Sequence, residues 1–134
     1  TLIDTHCHLD QPALFKNIER VIKNSINNDI ERIVVPSVSP ENLNEVIKIT
    51  QRFDLCSLAL GFHPFFADRV KDDDFKTLSI LLVEHDAVAV GEIGLDKFLD
   101  NIPLSTQEKI LKKQYLREEL NGLVVYIHLL EHMI

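Results

Sequence analysis

The chain is poor in the residues on which several kinds of protein depend. It has only two cysteines, Cys7 and Cys56, too few for a disulfide framework. A reducing, cytoplasmic setting is therefore expected, with each thiol a small buried filler rather than a nucleophile. Glycine occurs four times, and no Gly-rich phosphate loop, dinucleotide fingerprint or Ser-His-Asp signature is present. No apolar run approaches the roughly 20 residues that span a bilayer, and the first residues do not read as a basic-then-apolar signal segment, so no membrane association is expected. Positive charge is also short: 14 Lys and Arg against 21 Asp and Glu leave a net charge of −7. Proteins that grip nucleic acid by neutralising phosphates carry basic patches, and this sequence has none. Any work on a phosphodiester must then draw its positive charge largely from bound metal.

What is present is an ordinary globular composition, 46% hydrophobic and 26% charged, in a length suited to a single domain over 1–134. Short β-rich runs occur at Leu2–Asp4, Arg32–Pro36, Leu55–Gly61, Ala87–Val90 and Leu123–His128. Their continuous apolar character suits strands buried on both faces of a parallel sheet. Between them the spacing turns helical: Ile18, Val21, Ile22 and Ile26; then Leu43, Val46 and Ile47; then Phe75, Leu78, Leu81 and Leu82. Ser39 with Pro40 reads as one helix start. Ser105 with Glu108 reads as the capping box of another, which Gly122 would close. The expected order is βαβαβαβαβ, an α/β fold with a parallel sheet.

Titratable residues recur where these strands stop. In "TLIDTHCHLD" His6 and His8 follow the first run; His63 follows the third, Glu92 the fourth, and His128 closes the fifth. The C-terminal edge of a parallel sheet is where active sites are built. Alternate residues of an extended chain share a side, so His6 and His8 can chelate one ion. Imidazole and carboxylate together suit zinc, manganese, iron or nickel better than calcium. Such a set could hold one or two ions, which polarise a phosphoryl or carbonyl oxygen and generate hydroxide near neutral pH. His85 and His132 lie in or near helical stretches and read as surface residues.

With these residues in view, the chain resembles the TatD family of metal-dependent hydrolases, within the amidohydrolase superfamily. The motifs that carry the likeness are "IDTHCHLD" at 3–10, "ALGFHP" at 59–64 and "GEIGLD" at 91–96. A weaker one is "LVVYIH" at 123–128, preceded by Gln107 and Gln114. The resemblance implies a TIM-type (β/α)8 barrel with deoxyribonuclease or other phosphoesterase activity and two divalent ions, Mg, Mn or Zn. It makes His6 and His8 ligands of a first ion, Glu92 a bridging and catalytic carboxylate, and His128 a ligand of the second. His63 becomes a catalytic residue contacting phosphate, Asp10 a substrate-pocket or supporting residue, and Asp96 a structural one. The substrate would be DNA or a small phosphoester. Related sequences commonly have histidine where Phe65 stands, an aromatic at Lys97, and a small polar residue and arginine at Leu129 and Leu130.

A complete barrel of this type takes about 250 residues, so the chain is expected to supply roughly its first half. An open half-barrel exposes sheet edges and an apolar face, so self-association into an oligomer covering that face is expected. Two other readings stay open: a relative that binds metal without turnover, and an amidohydrolase-type enzyme acting on a substrate without phosphate.

Overall fold

The β-rich runs form parallel strands in a computed structural model of the chain, which describes residues 1–115 and, for the backbone alone, 124–130. The strands β1 (Leu2–Asp4), β2 (Ile30–Pro36), β3 (Cys56–Leu60), β4 (Ala89–Asp96) and β5 (Val124–Leu130) lie side by side in sequence order. Each runs parallel to the next. The crossovers carry α1 (Pro12–Phe15), α2 (Ile18–Asn27), α3 (Leu43–Arg52), α4 (Asp72–Glu84) and α5 (Leu104–Tyr115). Strands that follow one another in space as in sequence, with helices between them, have the winding of a TIM barrel. The described strands make part of one. No helix among the described residues is long and apolar enough to cross a membrane.

The strands are apolar on both sides, with alternate residues doing different work. Ile33, Val35, Leu58, Leu60 and Val90 pack against the helix stripes of Ile18 and Ile22, Val46 and Ile47, Phe75, Leu78 and Leu82. Their neighbours Val34, Ala59 and Ala89 form a separate small cluster on the other face. That period of two sorts one face toward the helices and the other toward the barrel interior.

Two local expectations are corrected. β4 does not end at Val90 but runs on to Asp96, so Glu92 lies within the strand rather than after it. Gly91 and Gly94 hide this extension from a propensity reading. It exists because Ile93, Gly94, Leu95 and Asp96 pair with Ile127, His128, Leu129 and Leu130, and tertiary pairing overrides weak strand preference. Ser105 sits inside α5 rather than at its cap, the helix starting at Leu104. Ser39 caps its segment as expected, with Pro40 at the first helical position, and the first turn, Pro40–Asn42, is 3-10 before α3 proper. The expected helix end at Gly122 lies outside the described residues, as does His132.

Candidate metal centre

Past β1 the chain stays extended beside β2, the Cys7 N–H donating to the Val34 carbonyl at 3.0 Å. Alternation therefore persists beyond the strand and sets His6 and His8 on one side. Leu9, fully buried in the helix-facing core, pins the far end of this segment. The His6 N–H donates to Asp4 Oδ1 at 3.1 Å and steadies its near end. The two imidazoles meet with their Nε2 atoms 3.0 Å apart.

Glu92 reaches the same point from β4. The pairing of β4 with β5 shifts register between Val90 and Ile93, and an irregularity of that kind re-aims a side chain. The Glu92 N–H donates to the carbonyl of Ser37 at 2.8 Å. Ser37, wholly buried, also donates its Oγ hydrogen to the Gly61 carbonyl (2.7 Å) and accepts the Gly61 N–H (2.8 Å). One serine thus laces the ends of β2, β3 and β4 together. Gly61 allows this close approach: a Cβ there would lie 2.7 Å from Ile93 Cγ2 and 2.9 Å from the Gly91 carbonyl carbon. Glu92 Oε2 ends 3.2 Å from His6 Nε2 and 3.2 Å from His8 Nε2.

His63 completes the cluster. Its N–H donates to the Val38 carbonyl at 2.7 Å, and its Nδ1 accepts the Phe65 N–H at 3.1 Å. A ring nitrogen that accepts a backbone hydrogen cannot carry one itself, so the neutral ring is protonated at Nε2. His63 therefore presents an N–H, 3.7 Å from Glu92 Oε1. In that tautomer Nε2 can offer its hydrogen to an oxygen.

The donor set fits a metal ion. Bonds of about 2.0–2.1 Å to nitrogen and oxygen put neighbouring ligands of one ion roughly 3.0–3.4 Å apart. The observed separations among His6 Nε2, His8 Nε2 and Glu92 Oε2 are 3.0, 3.2 and 3.2 Å. Two imidazole lone pairs facing each other that closely need a cation or a proton between them.

Protons fill that role when metal is withheld. Burial pushes the Glu92 carboxyl up, but the His8 hydrogen bond and the charges of His63, His6 and His8 outweigh it and hold the group at about 2. The same hydrogen bond raises His8, against the opposing effect of its burial, with the charges of Glu92 and Asp10 adding to the rise. A lowered carboxyl stabilises the fold above its ordinary value of 4.5 and ceases to do so as pH falls toward about 2. A raised imidazole stabilises below its ordinary 6.5 and ceases to do so as pH climbs through its folded value. Both contributions are complete together only between those ordinary values, 4.5 and 6.5. With chelator present, the melting-temperature gap between wild type and His8→Ala should be widest in that window and narrow as pH climbs above it. A gap that does not vary with pH would remove the His8–Glu92 ion pair from the account.

Asp10 stands behind this cluster. Its Oδ2 accepts a hydrogen from Asn42 Nδ2 at 2.9 Å, and Asn42 Oδ1 in turn accepts the N–H groups of Val38 and Ser39. Asp10 Oδ1 and His8 Nδ1 are the buried side-chain atoms without a hydrogen-bond partner among the described residues. His128 is placed by its backbone alone, paired with Gly94 on β4; its side chain lies outside the described residues. Asp96 accepts the Phe98 N–H at Oδ1 (2.9 Å) and closes the turn after β4. The sequence reading missed the supporting residues Ser37 and Asn42. It registered Gln107 and Gln114 without seeing their task. These glutamines, both 1% exposed, each clamp a peptide group of the loops: Gln107 that of Asp96, Gln114 that of Phe62. Two uncharged polar residues seven apart on one helix, on the face that must be buried, were the available signal.

Proteins of similar sequence and fold are known. The chain is 32% identical over 128 residues to the uncharacterized metal-dependent hydrolase YjjV of Escherichia coli, covering 94% of this chain and 49% of that protein. It is 30% identical to the similarly named YabD of Bacillus subtilis, covering 95% of this chain and 50% of the other. It is 28% identical over 121 residues to the human 3′-5′ RNA nuclease TATDN2, covering 84% of this chain and 16% of that protein. The crystal structure of YjjV, a TatD homologue, superposes with a TM-score of 0.86 at 30% identity, over 95% of this chain and 50% of that one. The chain thus spans about half the length of the bacterial relatives it matches, and its α/β strands form part of their TIM-type barrel. The TatD related DNase profile matches residues 3–132, taking in the His-x-His segment, the His63 turn and the Glu92 strand alike, and the chain belongs to that family.

Proposed function

We propose that the chain forms the first-ion side of a metal-dependent phosphodiesterase site that acts on nucleic acid. The observation that carries this reading is the convergence of His6 Nε2, His8 Nε2 and Glu92 Oε2 at ligand spacing, 3.0 to 3.2 Å, with an N–H of His63 beside Glu92. A divalent ion at these residues, Mg, Mn or Zn, would supply Lewis acidity and lower the pKa of water toward neutrality. His6 and His8 hold it as neutral imidazoles. Glu92 would provide the balancing negative charge and would be the carboxylate shared with a second ion, for which His128 is the proposed ligand. His63 donates its Nε2 hydrogen to an anionic oxygen of the substrate. Asp10, held by Asn42, supports the His8 segment and the pocket wall. The net charge of −7 supports metal rather than basic side chains as the source of positive potential.

The relatives' names point to DNA in one case and RNA in another, so both belong in the test. Nucleotide release from single-stranded DNA and RNA should require a divalent ion, stop with chelator, and fall by at least about a hundredfold in His6→Ala. Hydrolysis confined to carboxylic esters or amides would reassign the site to a substrate without phosphate. Ion binding without turnover of any substrate would leave these residues with metal retention alone.

A further inference from the structure

Beside the His8, His63 and Glu92 side chains lies a cavity of about 250 Å³ whose other wall is Gln11, Val38, Phe65 and Phe66. The metal centre accounts for one side of it. The aromatic side is unexplained by folding: Phe65 is 51% exposed and belongs to neither buried cluster.

The backbone that carries these rings is anchored next to the cluster. Phe65 and Phe66 occupy the 3-10 turn Pro64–Arg69, whose first residue follows His63 directly. The Phe65 N–H is tied to His63 Nδ1, so the backbone that carries the ring is anchored beside the metal centre. The two rings meet edge to face, centroids 4.9 Å apart at 76°, and the Arg69 guanidinium covers Phe66 at 5.2 Å. The result is a corner of π surface at the mouth of the cluster, with the Gln11 amide able to offer both a donor and an acceptor.

Resting on the phosphodiesterase reading above, we propose that Phe65 and Phe66 form a stacking subsite for the nucleobase of the nucleotide whose phosphate lies at the His6, His8 and Glu92 cluster. A base matches the site in shape and in chemistry. It is flat, it stacks on aromatic faces without regard to sequence, and its polar edge suits Gln11. The volume is below the roughly 300–1,000 Å³ of sites for larger ligands, so it takes one ring system and not a strand. With a net charge of −7, attraction to phosphate rests largely on the metal centre, and base contacts would add to the affinity it provides.

The test is equilibrium binding, measured by anisotropy with manganese present, of short labelled strands with hydrolysis-resistant phosphorothioate linkages. Three are compared: thymidylate, uridylate, and an abasic strand of equal length. Wild type should bind the base-bearing strands about tenfold or more tighter than the abasic one. A preference shared by both base-bearing strands assigns the subsite to the base itself, and one limited to a single strand assigns it to bases on that sugar. Phe65→Ala should erase the preference while leaving abasic affinity in place, and Phe65→Tyr should restore it. Equal binding of all three by wild type, or a loss in Phe65→Ala that falls equally on the abasic strand, overturns the subsite and leaves the phosphodiester reading standing. Failure of every strand to bind overturns both.

Discussion

Replacing Glu92 by glutamine is expected to weaken divalent-ion binding by more than about a hundredfold while leaving the fold in place. The change keeps the shape of a side chain that is only 5% exposed, and removes its charge. Residues that merely orient metal ligands cost about 10- to 100-fold in affinity when altered. Glu92 Oε2 sits 3.2 Å from both imidazoles, so a direct donor is lost and the expected effect exceeds that range. The amide would also direct either a neutral oxygen or an N–H at two nitrogens that need a positive centre between them. Competition for zinc with a chromophoric chelator gives the affinity, and the absorption spectrum of the cobalt form reports the donor set. Binding within about threefold of wild type would show that the convergence of His6, His8 and Glu92 is a hydrogen-bonded cluster and not an ion site.

Gln107→Leu should cost about 2–5 kcal/mol of stability. Leucine is close to glutamine in size and lacks its polar atoms, so the lost hydrogen bonds are the main cause. Gln107 Oε1 accepts the Asp96 N–H at 2.8 Å, and Nε2 donates to the carbonyls of Asp96 (3.1 Å) and Ile102 (2.9 Å). Leucine leaves these buried backbone groups without their side-chain partner, each at a cost of about 1–3 kcal/mol where no other partner or water is available. Against a total stability of about 5–15 kcal/mol for a domain, that is a large fraction. A urea denaturation series, read as a shift in midpoint at constant slope, measures it. A loss below about 0.5 kcal/mol would mean that water or β5 already satisfies the peptide groups of Asp96.

Much of the site was legible because its signals are local. His6 and His8 announce themselves by spacing, at the end of an apolar run too short to be anything but a strand. His63 before Pro64, and Glu92 between Gly91 and Ile93 with Gly94 following, sit in short segments whose composition departs from the strands around them. The supporting residues were less visible. Ser37 and Asn42 are ordinary loop residues in sequence, and their importance lies in partners on other strands, the Gly61 and Glu92 peptide groups and the Asp10 carboxylate. The extent of β4 was misread for the same reason. Gly91 and Gly94 disfavour a strand, and pairing with β5 imposes one.

Periodicity and composition settle the layers of this protein, since which face is apolar is a property of neighbouring residues. They also settle which edge of the sheet carries the chemistry, since parallel strands joined by crossovers all end on the same side. Whether two imidazoles and a carboxylate meet within 3.2 Å was decided only by tertiary structure. That meeting depends on the shift in β4 pairing, on the absence of a Cβ at Gly61 and on the hydroxyl of Ser37. The same holds for the tautomer of His63, which one backbone N–H selects. The first three join segments far apart in the chain, and the last depends on how one short turn is folded, which the order of residues alone does not fix.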